Sequence, residues 1–477
     1  MKKLISIFFF YCIAVVAGVS QNTLNSDSLN KCKARTSPEW IISGVIYQIN
    51  LRAFTPEGTL KAAMKRLPKI AELGATIVYL CPVFVSDDDM DQTFWSPRQK
   101  ASGMNNPRNP YRTKDYYHVD TEYGSDSDLK EFIAESHRLG LRVMLDLAYI
   151  WCGPKAVFLK DHPDFIVRDK DGNPARGNSY SFCAINFSNP ELREFFWQNM
   201  EYWVKEFNVD GYRCDSSDGA PIDFWETARE RLELLRPDIA MLAEGYQKEN
   251  QIKAFDISYP KSWTDAIFRV ILKKDTVAIL RKSWEKEAKL LPGVRHIRLN
   301  DSHDIAYGYR AGTQRVEKKF GAQGVKATLV MNFTVGGVPF LYNGQEAADT
   351  AHHSIFGRMP INWPNENTPE GKSRFAFCQK LCELHNTEYL LSQGYTEWIG
   401  NDRDDAVLSY LRTLGGEEIL TVMNLTKTHV EVRLTGLGHV ENKNFKPLLN
   451  EGVKCKTQNK FELQPYGFWV GKLKSKR

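Results

Sequence analysis

The sequence predicts an α/β protein: a (β/α)8 TIM barrel with a short insertion after its third strand, followed by a C-terminal antiparallel β-sandwich domain. Three observations predict this architecture. From Gly44 onward, short apolar runs rich in β-branched and aromatic residues alternate with helical periodicity, as in sheets built from βαβ units. Four of these runs lead directly into acidic residues, and the carboxyl ends of barrel strands form one face. After about residue 393, apolar and polar residues alternate, which is typical of an antiparallel sheet.

Eight apolar runs are the expected barrel strands. Each is short and is bounded by turn or helix signals, as buried parallel strands are. Eight strand candidates with helices between them match a closed barrel better than an open sheet. The runs are residues 44–49, 76–82, 142–147, 209–214, 239–243, 254–259, 295–299 and 337–342.

Helical periodicity fills most gaps between these strands. The clearest stretches run from Leu60 to Leu73, Asp128 to Leu139, Pro190 to Phe207 and Phe224 to Leu235. The gap at residues 151–189 is instead long, turn-rich and poorly periodic. Loops of that length inside a compact domain are usually functional. We expect this insertion to overhang the barrel mouth as a small lid.

The N-terminal residues resemble a secretory signal peptide. Two lysines precede an apolar stretch from Leu4 to Val16, and small residues follow it. The apolar stretch is too short for a spanning helix, and no other segment is long enough for one. We therefore expect an exported protein, periplasmic or secreted, with no membrane span in the mature chain. The expected divisions are signal peptide 1–20, leader 21–38, barrel 39–392 and β-domain 393–477.

The bulk composition argues against nucleic acid as a partner. Hydrophobic residues make up 42% and charged residues 25% of the chain, which is ordinary for a globular protein. The formal net charge of +5 over 477 residues is too small for a nucleic-acid-binding surface. The sequence contains no HxH or HExxH pattern, so catalysis by a bound metal is also disfavoured.

Four carboxylates follow apolar runs, and this is the main functional signal. Asp146 follows RVML, Asp215 ends VDGYRCD, Glu244 ends IAMLAE and Asp304 ends RHIRLNDSHD. One such residue could simply cap the next helix. Four together indicate a cleft at the carboxyl face of the barrel.

Paired carboxyl groups in a cleft can cleave a glycosidic bond, one as nucleophile or base and the other as acid. Arg213 and Asp215 are two residues apart, so on a strand they point to the same face. A nearby guanidinium favours the ionised carboxylate, which suits a nucleophile. Glu244, one strand along, is the natural partner acid, and His303 could bind a sugar hydroxyl.

An ordered series of motifs resembles the α-amylase family of glycoside hydrolases. It begins near Ser43 and continues in order toward the C-terminus. The motifs are YQINLRAF (Tyr47–Phe54), NPYRTKDYYHVDTEYG (Asn109–Gly124), DGYRCD (Asp210–Asp215), LAEGY (Leu242–Tyr246), SHD (Ser302–Asp304), GGVPFLYNGQE (Gly336–Glu346) and RMPINW (Arg358–Trp363).

The resemblance implies a catalytic (β/α)8 barrel and retaining cleavage of α-glucosidic bonds. It assigns Asp215 as nucleophile, Glu244 as acid/base and Asp304 as the carboxylate that stabilises the transition state. It also implies that Arg213 orients Asp215, that His303 binds sugar hydroxyls and that Tyr111 stacks beneath the sugar. Asp146 matches the acid that begins the first family motif, whose usual pattern is Asp-x-x-x-Asn-His. In this chain the motif is DLAYIW.

The sequence departs from the family pattern around these acids. Ile150 stands where an Asn often ligates structural calcium, so calcium at that position is not favoured and no cofactor is expected to be required. Trp151 replaces a sugar-binding His, and an indole lacks the acceptor nitrogen of an imidazole. It could stack on a sugar or be a packed aromatic at the base of the insertion. Ser302 replaces an Asn, and Arg112 replaces an Asp that follows the stacking Tyr.

We therefore expect an exported retaining α-glycosidase that acts on α-glucans, with oligosaccharides favoured because the insertion is short. A second hypothesis is a transglycosylase that uses the same acids and passes the glycosyl group to another sugar. A third is a catalytically weak sugar-binding or partner protein of the same fold. The presence of Asp215, Glu244 and Asp304 favours the enzyme hypotheses.

Overall fold

A closed barrel of eight parallel strands is the main architectural feature of the protein. It is seen in a computed structural model that describes residues 32–177, 180–289, 291–306, 314–436 and 445–473. In chain order the strands are β1 Ile46–Ile49, β2 Ile77–Leu80, β3 Phe84–Ser86, β4 Thr113–Val119, β5 Arg142–Leu147, β6 Trp151–Cys152, β7 Cys183–Ala184, β8 Gly211–Cys214, β9 Ala240–Ala243, β10 Ile257–Ser258, β11 Ile297–Arg298, β12 Val338–Tyr342, β13 Tyr395–Trp398, β14 Gly400–Asn401, β15 Val407–Leu414, β16 Glu417–Asn424, β17 Val430–Thr435, β18 Phe445–Thr457 and β19 Lys460–Leu473.

The barrel strands follow one another around the sheet in sequence order, as β1, β2, β5, β8, β9, β10, β11 and β12, and β12 pairs again with β1. A parallel bridge between Ser258 and His296 joins β10 to the start of β11 and closes the ring. All eight strands fall within the predicted apolar runs. The predicted (β/α)8 barrel is therefore confirmed.

Helices connect the strands and cover the barrel. Their bounds are α1 Glu39–Ile42, α2 Leu51–Phe54, α3 Leu60–Met64, α4 Leu67–Leu73, α5 Pro97–Ala101, α6 Asp126–Arg138, α7 Pro190–Phe207, α8 Ile222–Leu235, α9 Trp263–Ile271, α10 Ala278–Ala288, α11 His303–Ala306, α12 Val316–Thr334, α13 Pro369–Thr387 and α14 Tyr389–Gln393. The single helix predicted from Leu60 to Leu73 is wrong, because it is two helices. Pro68 near the start of α4 has no backbone N–H to continue α3, and it suits a helix's first turn.

The insertion lies between β5, the third barrel strand, and α7. The short strands β6 and β7 pair at its base, with Trp151 opposite Ala184 and Cys152 opposite Cys183. Two 3-10 turns, Val157–Lys160 and Pro163–Phe165, complete it.

The C-terminal region is an antiparallel sheet, as predicted. Strands β13 to β19 form it, and Tyr410 from β15 joins the main hydrophobic core of the barrel. The sequence pattern predicted strands at β15, β16, β17 and β19 but missed the short strands β13 and β14 and the long strand β18. That strand is mostly exposed and contains Pro447 and Gly452, which read as turn signals, and its pairing with β19 is interrupted by register shifts.

The expected signal peptide and most of the expected leader lie in residues 1–31, outside the described residues. Residues 32–38 are described and form neither helix nor strand. Within the described ranges, no helix is both long and apolar enough to cross a membrane.

Candidate active site

The acidic residues singled out in the sequence lie at the carboxyl ends of barrel strands. Asp146 is in β5, Asp215 directly follows β8 and Glu244 directly follows β9, and these three strands are neighbours. Asp304 lies in α11, shortly after β11. A single cavity at this face is lined by Asp215, Glu244, Asp304, His303, Tyr111 and Trp151, together with Ser96, Arg98, Asn109, Tyr180, Phe182, Ile355 and Phe356. Asp146 and Arg213 lie beneath it and are fully buried.

One guanidinium organises the carboxylates. Arg213 Nη1 donates to Asp146 Oδ1 and to Asp215 Oδ1, both at 2.7 Å. Its Nη2 lies 2.8 Å from Glu244 Oε2. Arg213 and Asp215 thus share a face, as their spacing on the strand predicted. Because one positive charge faces three carboxyl groups, the cluster carries an excess of negative charge.

Three tyrosine rings shield Arg213 from solvent. The guanidinium carbon lies 6.0, 5.9 and 5.5 Å from the ring centroids of Tyr79, Tyr111 and Tyr259. Tyr79 Oη also donates to Asp146 Oδ2 at 2.6 Å. These contacts hold the guanidinium in place with aromatic surface, which is a favourable cation–π arrangement.

The turn after β9 fixes Glu244. Ser216 N donates to Glu244 Oε2 at 2.8 Å, which gives this oxygen a backbone partner in addition to Arg213. The next residue is Gly245, and a Cβ there would lie 2.3 Å from Asp218 Oδ1 and 2.5 Å from Ser217 Oγ. Only glycine fits this turn without displacing its neighbours. Steric crowding therefore explains why the LAEGY motif has a glycine at this position.

Opposing effects act on the ionisation of Asp215. Burial raises the pKa of Asp215 well above its usual range, and the charges of Glu244 and Asp146 raise it further, although Arg213 lowers it. Arg213 therefore favours the ionised form of this carboxyl, as the sequence predicted, but burial, which has the largest effect, and the two neighbouring carboxylates oppose it. A cluster in which burial and neighbouring charges act in opposite directions on the acids suits chemistry that requires one acid and one base.

Asp304 has the opposite tendency. Burial alone would raise its pKa, but His303, Arg98 and Arg213 outweigh that effect, so the pKa of Asp304 lies well below its ordinary value. Arg98 Nη1 donates to Asp304 Oδ1 at 2.8 Å. Burial lowers the pKa of His303, which leaves this imidazole neutral at pH 7. The lasting positive partner of Asp304 is therefore Arg98.

A hydrogen-bonded chain fixes His303 and Tyr111. Gln48 Nε2 donates to His303 Nδ1 at 2.7 Å, which leaves the imidazole proton on Nε2. That nitrogen lies 2.8 Å from Tyr111 Oη, and Tyr111 Oη donates to Asp146 Oδ2 at 2.9 Å. The two rings are stacked, with centroids 5.5 Å apart. Tyr111 thus lines the cavity with its ring held against His303.

Trp151 lies in the cleft and also packs on the insertion. Its ring is so close to Gly177 that a Cβ there would lie 2.3 Å from the indole. The Tyr180 ring centroid is 6.0 Å away. The indole N–H is buried and has no acceptor within the described part of the protein. Both alternatives for Trp151 are therefore partly met, since it is a packed aromatic that still faces the cavity.

Several cavity residues were not found from the sequence. Tyr180 and Phe182 belong to the long insertion, where loop length was the only signal. Arg98 lies in the short helix α5 of the segment after β3, and no motif indicated it. Tyr259, whose ring packs on Arg213 beneath the cavity, follows β10, and its place at a strand end was the one available signal. These residues are brought to the cleft by tertiary structure alone.

The position proposed for calcium in related sequences is apolar here. Ile150 is buried, and its Cδ1 would lie 2.9 Å from a Cβ on Gly219. An alkyl side chain offers no oxygen to calcium, which prefers oxygen ligands. Within the described ranges, no group of three or more His, Cys, Asp or Glu side chains is arranged to hold a metal ion. That no cofactor is required stays a prediction.

The cavity is narrow. Its volume is about 40 Å³.

The chain is similar to known proteins in both of its regions. Residues 22–170 match the alpha amylase catalytic domain, and residues 400–470 match the maltogenic amylase C-terminal domain. A cyclomaltodextrinase from Bacillus sp is 25% identical over 460 residues, which cover 84% of this chain and 76% of that protein. An intracellular maltogenic amylase from Bacillus subtilis (strain 168) is 23% identical, with coverage of 85% and 72%.

Solved structures agree with these matches. The structure of a maltogenic alpha-amylase from Thermotoga neapolitana has a TM-score of 0.78 and 26% sequence identity, and it covers 91% of this chain and 99% of its own. An alpha-amylase from Lactobacillus plantarum shares the fold with a TM-score of 0.75 at 22% identity, again covering 91% and 99%. Both regions of the chain therefore resemble those of α-amylase family glycoside hydrolases, by the family matches to residues 22–170 and 400–470 and by a fold shared over most of its length.

Proposed function

We propose that the protein is a retaining α-glycosidase that hydrolyses α-glucosidic bonds of malto-oligosaccharides through a covalent glycosyl–aspartate intermediate. The observation that carries this proposal is that Asp215 and Glu244 bind the two terminal nitrogens of one Arg213 guanidinium, at 2.7 and 2.8 Å. Carboxyl groups held this near each other suit a retaining pair, with a separation of about 5 Å. An inverting pair leaves room for a water molecule between them.

In the first step, protonated Glu244 gives its proton to the glycosidic oxygen while an oxygen of Asp215 attacks the anomeric carbon. The bond between the anomeric carbon and the leaving oxygen breaks, and a glycosyl ester forms on Asp215. In the second step, ionised Glu244 takes a proton from water, which attacks the same carbon and releases Asp215 as a carboxylate. Two inversions give net retention, and no cofactor is consumed.

The remaining residues bind and orient. Asp304, ionised beside Arg98, is placed to accept hydrogen bonds from sugar hydroxyls and to offset positive charge on the sugar ring in the transition state. Arg213 aligns Asp215 with Glu244, and Asp146 fixes Arg213 from below. His303 lines the cavity while its Nε2–H donates to Tyr111 Oη, and Tyr111 and Trp151 supply aromatic surface for a sugar face.

Short substrates fit the cleft better than long polymers. The insertion contributes Trp151, Tyr180 and Phe182 to one wall, and Ile355 and Phe356 close the other, which leaves about 40 Å³ before any movement. The relatives named cyclomaltodextrinase and maltogenic amylase support the same substrate class. A narrow cleft is easier to close around one or two sugar units than around a polymer in mid-chain.

The function is tested by following the anomeric form of the first products by NMR. The purified protein would be incubated, with and without EDTA, with maltotriose, maltoheptaose, amylose, isomaltose, panose, pullulan and sucrose. We expect α-anomeric products from the malto-oligosaccharides, and a higher kcat/KM for maltotriose than for amylose. Initial release of the β-anomer would contradict retention, and a preference for amylose would contradict the oligosaccharide assignment. Loss of activity in EDTA would contradict the absence of a metal requirement.

Transglycosylation is the second candidate, and the same experiment distinguishes it. Trp151, Tyr180 and Phe182 form an aromatic wall on one side of the cleft. Aromatic rings offer water few hydrogen-bond partners, and a cleft that keeps water out favours a sugar acceptor over water. At high maltotriose concentration, products longer than the substrate would accumulate before glucose and maltose if transfer dominates. Hydrolysis gives only shorter products.

Trp151 provides a direct test of substrate binding in the cleft. Trp151→Ala is expected to raise KM for maltotriose several-fold, up to about ten-fold, because aromatic contacts contribute roughly 0.5–1.5 kcal/mol beyond buried area. Trp151→Phe should recover part of the loss, since it keeps a ring but lacks the N–H donor. Val157→Ala is the matched control, because Val157 is exposed on the same insertion. An unchanged KM in Trp151→Ala would mean that the indole serves only to pack the insertion.

Export is proposed from the N-terminal sequence alone. Lys2 and Lys3, the apolar stretch to Val16 and the small residues after it have the pattern of a cleaved signal peptide. One of the relatives is named an intracellular enzyme. An exported protein and an intracellular one would differ in their N-terminus, because only export removes the signal peptide. N-terminal sequencing of the protein from fractionated bacterial cells should find a mature end near residue 20 outside the cytoplasm. An intact Met1 in the cytoplasmic fraction would overturn the proposal.

A further inference from the structure

The loop after β3 reaches from the barrel edge into the catalytic cleft. This loop, residues 87–108, is called the Arg98 segment below. It folds onto itself: Trp95 Nε1 donates to Asp89 O at 2.9 Å, and Gln99 Nε2 donates to Asn106 O at 2.8 Å and to Pro107 O at 3.0 Å. The segment is therefore held in one shape by its own hydrogen bonds.

Arg112 anchors this segment from inside the protein. Its side chain is fully buried, and its two terminal nitrogens donate to four carbonyl oxygens of the segment. Nη1 donates to Phe94 O at 2.9 Å. Nη2 lies within hydrogen-bonding distance of Asp87 O (3.1 Å), Asp89 O (3.0 Å) and Pro107 O (2.9 Å). A planar guanidinium can reach carbonyls in several directions at once, which a lysine ammonium cannot do as well. The arginine that replaces a family Asp thus has a structural role in this chain.

The anchored segment places Arg98 against the catalytic carboxylates. Arg98 starts the short helix α5 and donates from Nη1 to Asp304 Oδ1 at 2.8 Å. About a third of its side chain, 32%, is exposed, and it lines the same cavity as Asp215 and Glu244. The segment also contacts the opposite wall, because Asn106 Nδ2 donates to Phe356 O at 2.9 Å.

We infer that Arg98 is a substrate-contacting residue that donates hydrogen bonds to hydroxyls of the neutral glucosyl unit bound beside Asp304, and that Arg112 positions it. The inference rests on the proposed function and deepens it. A sugar hydroxyl both donates and accepts. Ionised carboxylates on the cleft floor can only accept, whereas a guanidinium can only donate. Arg98 and Asp304 together therefore offer complementary partners to adjacent hydroxyls of one sugar.

The opposite role for Arg98 is a plug. In that role, the guanidinium bound to Asp304 occupies the space of the sugar and has to move away before the sugar can bind. The two roles predict opposite signs for removal of the side chain: loss of a substrate contact lowers kcat/KM, whereas loss of a plug raises it.

The test measures kcat and KM for maltotriose in the wild type, Arg98→Ala, Arg98→Lys and the control Lys100→Ala. Lys100 is exposed on the same helix. We expect Arg98→Ala to raise KM about ten-fold or more with a smaller change in kcat, as for a charged hydrogen bond made in both the bound substrate and the transition state. Arg98→Lys should recover part of the loss, since it keeps the charge without the fork.

Unchanged constants in Arg98→Ala, or a higher kcat/KM, would overturn the inference. Failure of the proposed function is a separate result, because the wild type itself would then be inactive. Arg98→Ala should keep the wild-type melting temperature. If Arg98→Ala lowers the melting temperature, the comparison rests on Arg98→Lys instead. A wild-type KM in Arg98→Lys would overturn the role of the planar guanidinium.

The role of Arg112 is tested in a double-mutant cycle. Arg112→Lys should lower kcat/KM in the wild-type background but change it little in the Arg98→Ala background, because Arg112 acts through Arg98. Residues in one network show such non-additivity. Equal losses in both backgrounds would show that Arg112 supports the fold or another part of the cleft instead.

Discussion

Replacing Asp215 by asparagine is expected to lower kcat for maltotriose by about four orders of magnitude. The amide keeps nearly the same volume and can still lie beside Arg213, so the cleft should retain its shape. It cannot form the glycosyl ester, because an amide oxygen is a poor nucleophile at the anomeric carbon. The assay is the initial rate of maltotriose cleavage. Asp223→Asn is the control, since Asp223 is exposed on α8.

A rescue experiment tests the assignment of Asp215 as nucleophile more directly. In Asp215→Gly, the space of the carboxylate is open to a small anion such as azide. Azide would attack the anomeric carbon from the face that Asp215 uses while Glu244 protonates the leaving oxygen, and the product would be a β-glycosyl azide. Activity in Asp215→Asn near the wild-type level would refute the assignment. The sugar-binding hypothesis would gain support if the wild type also shows no turnover.

The positions of the carboxylates could be predicted because strand ends are visible in the sequence. Asp215 and Glu244 follow short apolar runs, and parallel neighbouring strands bring such residues to one face. The spacing of Arg213 and Asp215 similarly predicted a shared face, because side chains alternate along a strand. Both inferences use local periodicity alone, and they hold in the structure, where Arg213 contacts Asp215 at 2.7 Å.

The ionisation of the same residues could not be predicted from local spacing. Arg213 was expected to favour the ionised form of Asp215, yet it also binds Asp146 and lies beside Glu244. The balance depends on how many carboxyl groups share one guanidinium and on how deeply all are buried. Those quantities arise from three strands together, so no single motif contains them.

Arg98 was missed for a related reason. It lies in a short helix within a segment that shows no long periodicity, more than two hundred residues from Asp304 in the chain, and the hydrogen bonds of Arg112 and of the segment itself bring it into the cleft. The sequence did single out Arg112 as a departure from the family pattern. Most partners of this buried arginine are backbone carbonyls, and its one carboxylate partner, Asp87, lies 25 residues away in the chain, so its role was visible only in three dimensions.

Glu244→Gln should separate its two roles through the choice of leaving group. With maltotriose, loss of the acid is expected to lower kcat by about 10²–10⁴-fold, the usual contribution of general acid–base catalysis. With α-glucosyl fluoride, the leaving fluoride needs little protonation, so formation of the ester on Asp215 should remain fast. Release of the ester by water would then become slow, because no base activates the water.

Azide should speed the release of the ester in Glu244→Gln, since an anion needs no base to attack. Without azide, the initial burst of released fluoride should equal the enzyme concentration. Glu230→Gln, an exposed change on α8, is the control and should match the wild type with both substrates. Equal losses with maltotriose and with the fluoride would mean that Glu244 mainly holds Arg213 and Ser216 in place. The acid would then have to be sought among the other groups that line the cavity, and the retaining mechanism would lose its proton donor at this position.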